Sequence, residues 1–295
     1  MSNDLWTVKA ALDWCQGYLE RNNDPHARLS AQWLLSYATG LERIEVYTHF
    51  DQPLSPEERD TLRCALRRRG AGEPLQYIMG TAPFRHIELH VEQGVLIPRP
   101  ETEMLVEAAV SALGARAENP LRAADVCTGS GCIACSLADE HPTWRIWAGD
   151  ISPDAVRIAG ENVERLGFSE RVSVCAADLL EGADGPFDVI ISNPPYIPDE
   201  VMRGLPSEVA DFEPELALAG GADGLDIFRT LAVQALGVLA PAGVFACELH
   251  ETCLDAAASI AREDGFSDVR IECDLTGRPR ILLASAPADA SRTDR

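Results

Sequence analysis

The first eighty residues carry apolar side chains at the spacing of amphipathic helices. Apolar positions recur every three or four residues from Leu5 to Glu20 and from His26 to Ala38, which predicts two helices. Ser55-Pro56-Glu57-Glu58 is a capping sequence and predicts a third helix over residues 56–69. The positions expected to face the core are Leu5, Val8, Ala11, Leu12, Cys15 and Leu19 in the first helix, and Leu29, Ala31, Leu34 and Leu35 in the second.

Beyond residue 72 the pattern changes to short apolar strands separated by helical segments. Glu73–Ile78 and the alternating Ile87–Val91 predict a β-hairpin. Further strands are predicted at residues 123–126, 144–150, 172–176, 187–191, 244–248, 270–273 and 280–284, with helices beginning at Pro100 and at Asp226. Strands that alternate with helices are typical of a mainly parallel sheet. We therefore divide the chain into a helical region (1–80), a linking hairpin (81–98), an α/β domain (99–285) and a polar tail (286–295) expected to be disordered.

A glycine-rich turn comes directly after the strand at 123–126. Cys127-Thr128-Gly129-Ser130-Gly131 leads from an apolar strand into a helix of small residues. The two glycines allow the backbone to approach a ligand, and the helix start offers free N–H groups. Because the spacing is Gly-x-Gly rather than Gly-x-Gly-x-x-Gly, a dinucleotide fingerprint is incomplete. The turn alone is therefore a weak sign of nucleotide binding.

Two later strands, each ending in an acidic residue, strengthen that sign. Asp150 lies nineteen residues beyond Gly131, where a carboxylate can accept hydrogen bonds from ribose hydroxyls. Asp178, before Leu179, could accept a hydrogen bond from an adenine amino group. Open α/β sheets bind ligands at the carboxyl ends of their strands, so these groups would meet in one crevice. Alternatively, each acid caps a helix, and we expect Asp154 to help start one in that way.

Asn193-Pro194-Pro195-Tyr196 comes after the strand at 187–191. The Asn193 side-chain oxygen and the Pro194 carbonyl are two acceptors that could hold both hydrogens of an amide or an exocyclic amine. The Tyr196 ring would pack against the plane of that group, and Pro195 fixes φ. Alternatively, the cluster simply ends a strand.

Charge and length exclude several classes of protein. The chain has 295 residues, 46% of them hydrophobic, without an apolar run of eighteen and without a basic N-terminal segment, so neither a membrane span nor a signal peptide is predicted. Residues 1–85 carry ten basic and eleven acidic side chains, and the remainder carries fifteen and thirty-six. A surface this acidic repels phosphates, so stable nucleic-acid binding is not expected. Arg67-Arg68-Arg69 is either a patch for RNA or a partner, or a solvated helix end.

The cysteines indicate a reducing environment rather than a disulfide framework. They number nine and lie mostly in apolar runs, as small buried side chains of a cytoplasmic protein do. Cys132 and Cys135 are one helical turn apart without a second pair nearby, so no metal site is predicted. We assign no general base to His90, His141 or His250.

Together these motifs resemble the HemK family of S-adenosylmethionine-dependent protein glutamine methyltransferases. The likeness spans residues 10–284 and is carried by residues 94–103, 125–131, 150, 193–196 and 213–225. Ile97–Glu103 favours the branch that methylates release factors. Three alternatives remain open: methylation of a glutamine in a large-subunit ribosomal protein, methylation of an exocyclic amino group of a nucleic acid base, and cofactor binding without catalysis.

The resemblance implies both a fold and an activity. The fold would be an α/β, seven-stranded, Rossmann-like methyltransferase domain with an antiparallel edge, preceded by a small helical domain for substrate recognition and a linking hairpin. The activity would be transfer of a methyl group from S-adenosylmethionine to the N5 amide nitrogen of the glutamine in the Gly-Gly-Gln loop of peptide-chain release factors. We expect a monomeric cytoplasmic enzyme.

Site residues are implied by the same resemblance. It implies that the cofactor is bound by Cys127, Thr128, Gly129, Ser130, Gly131, Asp150, Ile151, Asp178, Leu179 and Asn193. It implies catalysis by Asn193, Pro194 and Tyr196, and substrate binding by these three with Pro195, Arg99 and Glu101. Glu101 and Glu103 could instead cap the helix that begins at Pro100. Two residues depart from the family pattern: Cys127 replaces a glycine, which requires a negative φ there, and His250 replaces another.

Overall fold

Helices and strands separate along the chain into two units. The fold is that of a computed structural model, which describes residues 6–288. Within that range one unit consists of residues 6–81 with Ser207–Phe212, and the other of Ala82–Pro206 with residues 213–288. No helix of residues 6–288 is long and apolar enough to cross a membrane.

The first unit is built from helices that share one apolar core. They are α1 (Val8–Arg21), α2 (Ala27–Thr39), α3 (Glu45–Thr48), α4 (Pro56–Gly70) and α5 (Leu75–Met79). Ser55 and Glu58 form the predicted capping box, since each side chain accepts a hydrogen bond from the other residue's backbone N–H. The predicted core positions of α1 are buried from Val8 to Leu19, and Leu5 lies outside the described residues.

One predicted core position of α2 is wrong. Ala31, Leu34 and Leu35 are fully buried, but Leu29 is 42% exposed. Leu29, Trp33 and Tyr37 are four residues apart, so they lie along one face of the helix, and all three are exposed. The buried stripe of α2 is therefore rotated away from Leu29, and the unit presents a row of large apolar side chains on its surface.

The predicted first strand of the hairpin is a helix instead. Leu75–Met79 forms α5 between extended Pro74 and Gly80, which ends the helix in the left-handed conformation at φ 76. Ile78 is buried in the helical core and Leu75 packs against it, so tertiary contacts override the short apolar pattern. The hairpin itself is β1 (Thr81–Phe84) with β2 (Ile87–His90).

Both interpretations of the arginine run fail for one of its members. Arg69 is buried and donates to Asp24 (Nε to Oδ2, 2.7 Å) and to the Glu73 carbonyl. Arg68 pairs with the Glu73 carboxylate through two nitrogens. Arg67 is exposed, as a solvated helix end would be. Arg68 and Arg69 thus hold the end of α4 in place; the buried Arg69 is not available to RNA, whereas the Arg68 side chain remains 41% exposed.

The second unit is a seven-stranded sheet with helices. Its helices are α6 (Pro100–Leu113), α7 (Cys132–Glu140), α8 (Pro153–Arg165), α9 (Asp199–Met202), α11 (Asp226–Val238) and α12 (Leu254–Asp264), while α10 (Ser207–Ala210) belongs to the first unit. Its strands are β3 (Arg122–Val126), β4 (Arg145–Asp150), β5 (Val172–Ala176), β6 (Phe187–Ser192), β7 (Leu239–Glu248), β8 (Ser267–Cys273) and β9 (Pro279–Ser285).

The strand order is β5-β4-β3-β6-β7-β9-β8. The first five strands pair in parallel, and β9 pairs antiparallel with both β7 and β8. This confirms the predicted α/β fold with an antiparallel edge. Side chains alternate across β3: Ala124 and Val126 join a core cluster with residues of α11 and α12, whereas Asp125 accepts a hydrogen bond from the first turn of α7.

The hairpin is anchored to the glycine turn through one buried asparagine. Asn162 of α8 is fully buried, and its Nδ2 donates to the carbonyls of His90 and Ser130, each at 2.9 Å. Its Oδ1 accepts from the His90 N–H at 2.7 Å. Both ends of this amide are used to connect β2, α8 and the turn, which fixes the turn's position.

The start of the predicted disordered tail is ordered. Ala286 is buried, and its N–H donates to the Gly243 carbonyl at 2.8 Å. The rest of that prediction, residues 289–295, lies outside the described residues.

Candidate active site

A cavity of about 490 Å³ lies at the carboxyl ends of β3, β4, β5 and β6. This is where an open parallel sheet is expected to bind a ligand. Most predicted site residues line it: Arg99, Cys127, Thr128, Gly129, Ser130, Asp150, Ile151, Asp178, Leu179, Asn193 and Pro195. Four do not: Glu101, Gly131, Pro194 and Tyr196.

The glycine turn is shaped by two glycines with different surroundings. Gly129 has φ 55, and no atom lies within 4 Å of where its Cβ would be. Gly131 has φ 80, and a Cβ there would stand 3.2 Å from the Ala159 Cβ. Gly129 therefore keeps the cavity wall open, whereas Gly131 lets the start of α7 approach α8 and has no direct contact with the cavity.

The backbone φ of Cys127 is positive, whereas a negative φ was expected. Its φ is 60, in the left-handed region, so the expectation of a negative φ is wrong. Its side chain packs beside the core cluster, and burial raises the pKa of its thiol. A non-glycine residue in this region stores backbone strain of roughly 1–3 kcal/mol, which the surrounding contacts must offset.

That conformation predicts unequal costs for two substitutions at one position. Cys127→Gly should stay within about 1 kcal/mol of the wild type, because relief of strain offsets lost packing. Cys127→Val should lose about 2 kcal/mol, because β-branched residues tolerate a positive φ poorly. Urea unfolding measures both free energies. Cys175→Val on β5 is the control at an extended position, and equal losses at the two sites would contradict the left-handed assignment.

Asp125 stabilises the glycine turn through hydrogen bonds to its side chain, a role that the motif alone did not assign. Its Oδ2 accepts from Thr128 Oγ1 (2.5 Å) and from the Ala134 N–H (3.0 Å). The residue is fully buried, and burial raises the pKa of its carboxyl group to about 7. The sequence does contain a signal for this role, because an acidic residue stands near the end of a buried strand, just before a glycine turn.

Asp150 connects the turn to the start of α8. Its Oδ2 accepts from the Gly129 N–H and its Oδ1 from the Ser152 N–H, both at 2.9 Å. A carboxylate has about four acceptor positions, so both oxygens keep capacity for ligand hydroxyls. Ser152, not Asp154, caps α8 through its hydroxyl. Burial raises the pKa of Asp150 despite these N–H donors.

Asn193 is held by a chain of hydrogen bonds that begins on α6. Its Nδ2 donates to Thr102 Oγ1 at 2.9 Å, and that hydroxyl donates to Glu248 Oε2 at 2.8 Å. The Tyr196 hydroxyl donates to the other oxygen, Oε1, at 2.8 Å. Tyr196 packs against the core cluster rather than the cavity. Sequence reasoning did not predict the hydrogen bonds that join Thr102 and Glu248 to these residues, because the partners are distant in the chain.

Arg99 and Glu213 connect two segments of the cavity wall. The Arg99 guanidinium forms an ion pair with the buried Glu213 carboxylate, which also accepts from the Ile97 N–H at 3.2 Å. Arg99 and Pro214 both line the cavity. His250 bonds to Thr252 and does not line it. Within the described residues, no group of three or more His, Cys, Asp or Glu side chains is arranged to hold a metal ion.

Similarity to known proteins covers both units. The model of the PrmC N-terminal domain matches residues 10–80, and that of the methyltransferase small domain matches residues 102–204. A release factor glutamine methyltransferase of Geobacter sulfurreducens is 40% identical over 280 residues, which covers 95% of this chain and 96% of that protein. One of Rhodopirellula baltica is 38% identical over 287 residues, covering 95% and 97%. The chain belongs to the release factor glutamine methyltransferase family.

More distant solved structures share a fold with about two thirds of the chain. A methyltransferase from Pyrococcus furiosus superposes with a TM-score of 0.50 at 18% identity, covering 68% of this chain and 88% of that one. The T. thermophilus 16S rRNA methyltransferase in complex with AdoMet and guanosine gives 0.52 at 20% identity, covering 70% and 49%. At this identity the likeness concerns fold alone. The release factor glutamine methyltransferase family, in contrast, extends over nearly the whole chain.

Proposed function

We propose that this chain transfers a methyl group from S-adenosylmethionine to the side-chain amide nitrogen of the glutamine in the Gly-Gly-Gln loop of peptide-chain release factors. The observation that carries the proposal is the position of Asn193. It lies in the wall of the same cavity as the glycine turn and Asp150, in a chain 40% identical to a named release factor glutamine methyltransferase.

The cavity suits S-adenosylmethionine in size and in chemistry. Its volume of about 490 Å³ lies within the range of small-molecule sites. Ser130 Oγ is buried in its wall without an oxygen or nitrogen partner, so it is available to the amino-acid part of the cofactor. Asp150 offers acceptors for ribose hydroxyls, while Ile151 and Leu179 offer apolar surface for a base. Ile151 is 56% exposed, so its side chain has apolar surface free to contact a bound ligand.

The reaction requires a poor nucleophile to be positioned and polarised. Bound in the cavity, S-adenosylmethionine supplies an electrophilic methyl group on a positively charged sulfur. The lone pair of an amide nitrogen is delocalised into the carbonyl, so it attacks slowly. Asn193 Oδ1 would accept an N–H of the substrate and raise electron density on nitrogen as positive charge develops there. This stabilisation grows toward the transition state.

The second acceptor and the fate of the proton remain predictions. Pro194 is buried and does not line the cavity, so its carbonyl would have to be reached by the substrate from the edge. Once methylated, the nitrogen is acidic enough to lose its proton to water or to this carbonyl. A general base with a tuned pKa is therefore unnecessary.

Substrate recognition is assigned to the helical unit, residues 1–80. The exposed row of Leu29, Trp33 and Tyr37 supports this assignment, because clustered apolar side chains on a surface mark interaction sites. A monomeric state, a cytoplasmic location and the lack of stable nucleic-acid binding belong to the same proposal. The net charge of −22 supports the last of these.

The decisive experiment offers several substrates to one preparation of enzyme. The purified chain is incubated with methyl-labelled S-adenosylmethionine and, separately, release factor, the large ribosomal subunit and RNA. We expect label in the release factor alone, and mass spectrometry of its tryptic peptides should place one methyl group on the Gly-Gly-Gln glutamine. A release factor with that glutamine replaced by alanine is the control. Label in RNA or a ribosomal protein, with an unmodified release factor, would refute the proposal.

A further inference from the structure

Glu248 is a buried carboxylate whose two oxygens both receive side-chain hydroxyls. It ends β7, and its residue is 1% exposed. Thr102, in the first turn of α6, donates to Oε2, and Tyr196, after β6, donates to Oε1, each at 2.8 Å. Three separate elements thus meet at one acidic group beside the cavity. Asn193 is connected to it through Thr102, and both of these residues line the cavity.

The direction of these hydrogen bonds determines which end of the Asn193 amide faces the cavity. A threonine hydroxyl carries one hydrogen, and here that hydrogen is given to the Glu248 carboxylate. Only its lone pairs remain, so Thr102 can accept from Asn193 but cannot donate to it. The Asn193 NH2 group must therefore point to Thr102, at 2.9 Å. Its oxygen, the opposite end of the amide, is left for the cavity.

We infer that Thr102 and Glu248 are positioning residues that orient Asn193 with its oxygen toward the cavity, where it selects a substrate group that donates N–H. The inference rests on the proposed function, because only an NH2-bearing substrate requires an acceptor at this point. An asparagine turned the other way would present hydrogens to the hydrogens of a glutamine side chain. The NH2 group of the substrate would then be repelled instead of held.

The relay depends on Glu248 being ionised. Burial raises the pKa of Glu248, and the hydrogen bonds from Tyr196 and Thr102 lower that pKa. Two charged residues face the carboxylate: Glu101 on α6 raises its pKa, and Arg280 on β9 lowers it. A protonated Glu248 would donate to Thr102, which could then donate to the Asn193 oxygen. The Asn193 amide would then turn over, with its oxygen toward Thr102 and its NH2 group toward the cavity. Methyl transfer should therefore fall as pH decreases through the raised pKa of Glu248.

Matched substitutions at Thr102 separate the hydroxyl from the packing. Thr102→Val keeps the shape of this buried residue and removes the hydroxyl, and we expect about 10²-fold lower kcat through misorientation of Asn193. Thr102→Ser keeps the hydroxyl and should stay within about five-fold of the wild type. Binding of S-adenosylmethionine, measured by calorimetry, should be equal in all three proteins. Equal activity of Thr102→Val and wild type would overturn the relay while leaving the proposed function intact.

The pH profile gives a readout that a purely structural role would not move. Tyr196→Phe removes one donor to Glu248, which raises the pKa of that carboxyl group further, so the acid limb of kcat should shift to higher pH. Glu248→Gln has no carboxyl group to titrate, so its low residual activity should lack this limb. An acid limb that is unchanged in Tyr196→Phe and persists in Glu248→Gln would overturn the inference.

Nuclear magnetic resonance tests the orientation without any substrate. In protein labelled with ¹⁵N-asparagine, an Asn193 side-chain N–H proton should show a nuclear Overhauser effect to the Thr102 methyl group. Thr102→Ser assigns the signal, because it lacks that methyl group. Absence of the effect in a folded wild type would overturn the inference even if methylation of release factors is confirmed. Its presence would support the orientation even if another amide proves to be the substrate.

Discussion

Asn193→Ala is expected to lower kcat/KM for release-factor methylation by roughly 10³-fold, which corresponds to about 4 kcal/mol of transition-state stabilisation. Alanine removes the acceptor that would hold the substrate nitrogen in line with the methyl group, so both positioning and polarisation are lost. Most cofactor contacts that we propose come from the glycine turn, Asp150 and Leu179, which this substitution leaves in place. Binding of S-adenosylmethionine should therefore change by less than about three-fold.

Two measurements make this prediction sharp. Single-turnover methylation of a release factor gives the rate of the chemical step, and calorimetric titration gives cofactor affinity. Asn119→Ala, at an exposed position outside the cavity, is the matched control and should behave as the wild type. Loss of cofactor binding together with activity would show that Asn193 serves the fold of the pocket instead. Retained activity would remove Asn193 from the mechanism.

The features predicted correctly from the sequence are those that depend on local patterns. The strands before the glycine turn, Asp150, Asp178 and Asn193 were each visible as an apolar run with a polar group at its end. Since parallel strands align their carboxyl ends, the clustering of these groups is expected from the fold class alone. The capping box at Ser55 is equally local. A correct fold class was thus sufficient to place most of the cavity wall.

The features that were missed depend on contacts between distant segments. Thr102 and Glu248 are 146 residues apart, and no local pattern pairs them. The left-handed backbone of Cys127 contradicts its residue type, and only the surrounding turn imposes it. Arg69 lies in a sequence typical of a charged helix end, but its side chain forms a hydrogen bond with Asp24, 45 residues earlier. Sequence patterns report burial and secondary structure well, but they do not report which polar groups will satisfy one another.

Arg69→Met is expected to destabilise the protein by about 3–5 kcal/mol, because it leaves a buried carboxylate without its cation. The Arg69 and Asp24 side chains are 6% and 3% exposed, so water cannot replace the lost partner. Arg69 also pairs with Glu208 at 3.0 Å, and that carboxylate, 41% exposed, can return to solvent. Arg67→Met, two residues away and exposed, is the control and should change stability by less than about 0.5 kcal/mol. Urea unfolding followed by circular dichroism measures the difference.

The pH dependence of that loss identifies its cause. Burial alone would raise the pKa of Asp24, but the hydrogen bond from Arg69 helps to hold it below its ordinary value of 3.8. A lowered folded-state pKa contributes stability above pH 3.8 that disappears as pH falls through the folded value. In Arg69→Met the pKa of Asp24 should instead be raised, so acid neutralises the orphaned charge. The deficit should therefore be largest near pH 7 and shrink below about pH 4.

A double substitution tests the same cause at neutral pH. Adding Asp24→Leu to Arg69→Met should recover much of the lost stability, since removing both partners leaves no buried charge. A deficit that is constant with pH and unaffected by Asp24→Leu would mean that Arg69 stabilises α4 through packing alone.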